Sequence, residues 1–97
     1  MKYSFHLAAE SEFEAAVEFY DDCEEGLGDE FEQEVFATIT RIVKYPESWP
    51  RNSLRSRRCL RNRFPYTVVY RQTDAGIVIY AVMHQKRRPG YWKDRLR

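Results

Sequence analysis

Two apolar runs near the C-terminal end, residues 66–70 (Y-T-V-V-Y) and 77–83 (I-V-I-Y-A-V-M), flank Asp74, Ala75 and Gly76. Both runs are β-branched and aromatic, and both are of strand length, so this stretch predicts a β-hairpin. Its loop, near residues 72–76, carries the Asp and Gly that tolerate positive φ. The first run shows little polar alternation, since Tyr66, Val68, Val69 and Tyr70 are all apolar. A sheet that is apolar on both faces needs cover on both, and a short chain has few elements to supply it. The hairpin is also bracketed by base. Arg57, Arg58, Arg61 and Arg63 precede it, Arg71 lies inside it, and Lys86, Arg87 and Arg88 follow it. Arginines and aromatics gathered at the ends of a sheet point to an anionic partner.

At 97 residues the chain is expected to form one domain, residues 1–97, near the lower limit for burying a core. No apolar run approaches the ~18 residues of a membrane span. The opening M-K-Y-S-F-H-L lacks the apolar centre of a signal peptide. Cys23 and Cys59 lie far apart without a C-x-x-C spacing, so neither a disulfide framework nor a zinc site is expected. The expected setting is the cytoplasm, with no membrane association, no metal and no cofactor. Charge is divided sharply. Residues 1–34 hold 12 of the 15 acidic residues against one basic residue, Lys2, whereas residues 35–97 hold 15 basic against 3 acidic. Two readings stand side by side: the halves neutralise one another through surface pairs, or the molecule is bipolar with one basic face.

Residues 2–7 alternate, with Tyr3, Phe5 and Leu7 on one side and Lys2, Ser4 and His6 on the other, which predicts a half-buried strand. His6 then reads as a solvated residue. A helix is predicted over residues 9–25, with Ser11 and Glu14 at capping-box spacing. Phe13, Ala16, Val17, Tyr20 and Leu27 form its apolar stripe, and Glu12, Glu18, Asp22 and Glu25 its wet face. Gly26 and Gly28 break it. A second helix is predicted from Asp29 to Tyr45, burying Phe31, Val35, Phe36, Ile39, Ile42 and Val43 and stopped by Pro46. Residues 46–55 read as a loop with Trp49 packed on the core edge. Residues 56–63 read as a strand, basic on its exposed positions. The short turn between the helices makes them an antiparallel αα-hairpin. The predicted class is α+β: an N-terminal strand, an αα-hairpin, then a three-stranded antiparallel meander, β-α-α-β-β-β.

In order along the chain stand A-A-V-E-F-Y at residues 15–20, Leu27-Gly28 with Phe31, Pro46 with Trp49-Pro50, and Arg63-Phe64-Pro65-Tyr66 with Val69-Tyr70. I-Y-A-V-M-H-Q-K-R-R-P at residues 79–89 then leads into Tyr91-Trp92. Their combination, over nearly the whole chain, resembles the RelE/ParE superfamily of bacterial type II toxins. The resemblance implies a toxin paired with a small antitoxin protein in a hetero-oligomer, within a system of the plasmid-stabilisation kind. The antitoxin usually wraps the toxin with a helix or an extended strand, which would cover the open sheet face. It also implies one of two targets. ParE-like members bind DNA gyrase and inhibit growth; RelE-like members are endoribonucleases that cut messenger RNA on the ribosome.

A metal-free ribonuclease needs an acid and a base in position and cations on the phosphate. Arginine suits the cation role because its fork is planar and always charged. By resemblance to RelE-type enzymes the catalytic set would be Arg57, Arg58, Arg87 and Tyr91. Target-binding residues would be Arg61, Arg63, His84, Lys86, Arg88 and Trp92. His84 has three open readings: acid or base, partner contact, or structural hydrogen-bonding group. RelE-type enzymes place an arginine after the aromatic that opens the hairpin strand, where this chain has Thr67, and a His followed three residues on by Arg (His84, Arg87) looks more like ParE-type sequences. The ParE-like reading therefore leads. A nonspecific RNA-binding domain or an inert relative of the toxins is the remaining alternative.

Overall fold

A computed structural model describes residues 2–50, 56–60, 64–84, 92 and 95, with side chains at 58–60 not described. The element order is β1 (Tyr3–Phe5), α1 (Leu7–Cys23), α2 (Leu27–Lys44), β2 (Arg57–Leu60), β3 (Tyr66–Thr73) and β4 (Gly76–His84). The fold is α+β, as the sequence pattern implies. The sheet runs β1-β4-β3-β2. The last three strands are antiparallel neighbours, and β1 joins β4 in parallel.

The N-terminal strand is shorter than its alternation suggests. His6 is not simply solvated: its Nδ1 accepts a hydrogen bond from the Ala8 backbone N–H at 3.1 Å and caps α1. The helix therefore starts a turn before the Ser11–Glu14 pair, and Leu7, expected on the buried side of the strand, is helical and exposed. An N-cap acceptor satisfies one of the orphan donors of the first turn.

At the helix junction the chain passes close to itself. A Cβ at Gly28 would lie 2.5 Å from the Val17 carbonyl oxygen and 2.6 Å from the Asp21 carboxylate. The Gly28 N–H donates to Asp21 Oδ1 at 2.8 Å, so Asp21 of α1 satisfies a free donor at the start of α2. Gly28→Ala is expected to lower stability by about 1–3 kcal/mol, the usual cost of forcing volume into a closed contact. A denaturant midpoint equal to that of the parent chain would refute the close approach.

The apolar stripes of the two helices lie on one sheet face. Ala9, Phe13 and Ala16 of α1 and Phe31, Val35, Ile39 and Ile42 of α2 bury against Phe64, Val68, Tyr70, Ile77, Ile79 and Val82. Phe36, expected in this set, is 39% exposed and touches Phe13 from outside, while Thr38 is buried in its stead. The Thr38 hydroxyl is accommodated by donating to the Glu34 carbonyl at 2.8 Å. Trp49 packs at the core edge as read, and the Tyr70 hydroxyl donates to the Pro46 carbonyl at 2.6 Å, tying the loop after α2 to the sheet.

The hairpin turn is tighter than the 72–76 loop read from sequence. β3 runs to Thr73, β4 begins at Gly76, and only Asp74 and Ala75 lie between. Gly76 has φ of 133°, and a Cβ there would collide with the Lys2 carbonyl, so β1 and the turn meet only because this residue is glycine. In the strands, Val69 pairs with Ala81 but Tyr70 pairs with Ile79, leaving Tyr80 as the extra residue of a β-bulge. The bulge reverses which side chains face the helices. Ile77, Ile79 and Val82 face them; Tyr80, Ala81 and Met83 join Val69 on the other side.

That second face is not open, contrary to the expectation that too few elements exist to cover it. Trp92 lies on it at 2% exposure, in a cluster with Val69, Tyr80, Ala81 and Met83. Among the described residues, Trp92 from the C-terminal tail is the aromatic that packs over this face.

Candidate functional site

Of the ten candidate site residues, Arg61, Arg63, Lys86, Arg87, Arg88 and Tyr91 lie outside the described residues, and Arg58 is described only in its backbone. Arg57, His84 and Trp92 have defined surroundings.

Arg57 opens β2 opposite Tyr70. Its Nη1 donates to the Trp49 carbonyl at 2.7 Å and to the Glu47 carbonyl at 3.3 Å. The guanidinium is thus half-buried and holds the loop after α2 onto the edge of the sheet. Strand alternation had placed it on an exposed position; the loop folds back over it because Pro46 ends α2 beside β3. A charge-assisted bond to a carbonyl both orients and partly satisfies the cation.

His84 ends β4 opposite Tyr66. The two rings meet edge to face, with centroids 5.3 Å apart at 81°. Tyr66 in turn touches Tyr20 and Phe31, so His84 sits at the rim of the aromatic cluster that joins helices to sheet. The same cluster holds Tyr20, whose hydroxyl is pushed above its ordinary pKa by burial and by the neighbouring Cys23.

These two residues are not brought together. Their strand partners, Tyr70 and Tyr66, are four residues apart along β3, about 13 Å at strand rise. Arg57 and His84 also flank β3 on opposite sides. The described residues therefore do not assemble a compact acid–base and cation constellation. Trp92, expected to contact the target, is a core side chain at 2% exposure and has no face to offer a partner. Thr67, the position where a ribonuclease-type arginine would stand, is 2% exposed within the sheet.

A groove of about 450 Å³ between the two helices is floored by Phe13 and Val17 and walled by acidic residues such as Glu18, Asp21 and Glu32. Glu18 and Asp22 are exposed, as their helical spacing implies, and Glu25, predicted in the same helix, is exposed in the turn after α1. Glu12 departs from that wet face. It forms a two-point ion pair with Arg95, Nη1 to Oε1 at 2.7 Å and Nη2 to Oε2 at 3.1 Å. Both side chains are about 15% exposed, 16% for Arg95 and 15% for Glu12.

Arg95 and Asp21 were not singled out from sequence, and Glu12 was read only as part of the wet face of the first helix. No spacing rule links Glu12 to a residue 83 positions away, and an acidic residue on a helix repeat reads as solvated. Among the described residues no helix is long and apolar enough to cross a membrane.

No curated protein matches the sequence. A family model does: that of the ParE toxin of type II toxin-antitoxin system, parDE, aligns with residues 3–89. The match runs from β1 through the whole hairpin, and the chain accordingly belongs to the ParE toxin family of the RelE/ParE superfamily, as the toxin member of a toxin–antitoxin pair.

Proposed function

We propose that this toxin inhibits growth in the ParE manner, by binding a macromolecular target such as DNA gyrase, within a plasmid-stabilisation system. The observation that carries the reading is Thr67. A ribonuclease needs cations around the scissile phosphate, and this strand position supplies a buried hydroxyl instead. The use of Arg57 to hold a loop supports the same reading. The contacts to the target are Arg61, Arg63, His84, Lys86 and Arg88, basic groups before and after the hairpin. The set Arg57, Arg58, Arg87 and Tyr91 belongs to the messenger-RNA endoribonuclease reading, which the test separates from this one. The toxin acts in the cytoplasm, where gyrase is found.

The test is pulsed expression in a bacterial host with growth, DNA integrity and messenger-RNA ends followed together. Growth arrest with DNA breaks and intact messages is the expected result. New RNA ends at codon boundaries would overturn the reading and turn attention to Arg87 and Tyr91. Replacing Lys86 and Arg88 together by Ala is expected to abolish arrest while the thermal midpoint stays unchanged.

A further inference from the structure

Helix α1 carries six acidic residues and neither lysine nor arginine. Two of the six are used inside the fold: Glu12 pairs with Arg95, and Asp21 accepts from the Gly28 N–H. Glu14, Glu18 and Asp22 follow one another at four-residue steps, are exposed, and have no ion pair among the described residues. Like charges at this spacing repel, so the row costs the helix stability. Asp22 also stands in the last turn, where the helix dipole disfavours an anion and no basic residue offsets it. Conflicts of this kind with local rules gather where a function requires them.

The row forms one wall of the groove between the helices, and Glu32 of α2 faces it from the other side. The floor is apolar. Phe13 and Val17 line it, and the Phe36 ring, 39% exposed, meets Phe13 edge to face with centroids 5.5 Å apart. An apolar trough walled by carboxylates is complementary to a segment that presents an apolar side chain between cations. Membership of a toxin–antitoxin pair supplies a protein that has to cover part of this chain. The second sheet face is already occupied by Trp92, whereas the groove is open.

We propose that this groove receives the antitoxin, through a segment carrying an apolar side chain flanked by lysines or arginines. The apolar group lies on Phe13, Val17 and Phe36, and the cations pair with Glu18, Asp22 and Glu32. The charges that destabilise free α1 are then the ones the complex neutralises. The proposal rests on the chain's having an antitoxin and not on which target the toxin binds, and its test does not read growth arrest.

The probe is the antitoxin encoded beside the toxin gene, purified and titrated into the toxin by calorimetry. The thermal midpoint of the free toxin is measured alongside. Glu18→Lys is compared with Asp74→Lys, which changes net charge equally but lies in the hairpin turn, away from the groove lining. Glu18→Lys places a cation one turn from both Glu14 and Asp22, so it is expected to raise the midpoint of the free toxin. It is also expected to weaken antitoxin binding at least about tenfold, because it sets like charges face to face in the complex. Glu18→Gln, which removes the charge without reversing it, is expected to move both quantities in the same directions by less. Asp74→Lys is expected to bind as the parent does. Equal losses of affinity at positions 18 and 74 would reveal general attraction between the two proteins and overturn the groove. Unchanged affinity in Glu18→Lys overturns it too, as does a lowered midpoint of the free toxin, which would make the acidic row a stabilising feature of the fold.

Discussion

Phe31→Ala is expected to lower the stability of the fold by about 3–5 kcal/mol, the range for truncating a fully buried phenylalanine. Phe31 is completely buried at the meeting point of helices and sheet. Its ring centroid lies 6.0 Å from Phe13, 5.0 Å from Tyr20, 5.3 Å from Phe64 and 4.9 Å from Tyr66. These four rings come from α1, β3 and the segment just before β3, so none can follow the others into the space left behind. Collapse being blocked, the cavity term adds to the lost transfer energy. Domains of this size are stable by about 5–15 kcal/mol in total, so the loss removes a large share. The measurement is the urea midpoint at unchanged slope. Phe36→Ala is the matched comparison: that ring is 39% exposed and its described ring contact is Phe13 alone, so a loss below about 1.5 kcal/mol is expected. Equal losses for the two would show that Phe31 is not the hub.

The contrast between Phe31 and Phe36 also shows how far the sequence could be read. Helical spacing places both on the apolar side of α2, and that is correct to within a turn. It cannot say where the stripe stops, because the limit is set by how far α1 overlaps α2. The hairpin was legible for a similar reason: two β-branched runs around Asp74 and Gly76 leave little else to build. The bulge at Tyr80 was not. Both runs are apolar on both sides, so no polar position marks the point at which the alternation reverses. His6 was misread because a strand pattern of six residues and a capping residue look alike until β4 is there to end the pairing at Ile79.

The site was less legible than the fold. A cluster of arginines around a hairpin signals electrostatics but not geometry. Arg57 is spent on the carbonyls of Glu47 and Trp49, a use that depends on where Pro46 ends a helix rather than on any local motif. His84 is drawn into ring contact with Tyr66 because the hairpin register puts them opposite. The charge division of the sequence has a partial explanation in Glu12 and Arg95, one residue from each half. Their pairing supports the reading in which the halves meet, but it does so at one partly buried place rather than across a surface.

Trp92→Ala is the second large loss, again about 3–5 kcal/mol on the scale of buried aromatic truncations. For a chain of this length that corresponds to a fall in thermal midpoint of at least about 12 °C. The reasoning rests on the second sheet face. Val69 and Ala81 are fully buried, and Tyr80 and Met83 nearly so, in the cluster that Trp92 completes. The Arg95 N–H donates to the Trp92 carbonyl at 2.9 Å, so the indole and the ion pair with Glu12 belong to one turn of chain. Removing the indole therefore exposes apolar surface and loosens the anchor three residues on. Had Trp92 been a target contact on the surface, as its place in an aromatic and basic tail suggests, truncation would leave the melt unchanged and abolish growth arrest. The two roles separate at low temperature. Below its midpoint, folded Trp92→Ala protein is expected to retain arrest, in proportion to the fraction folded, whereas a parent-like melt with lost arrest would return Trp92 to the target surface.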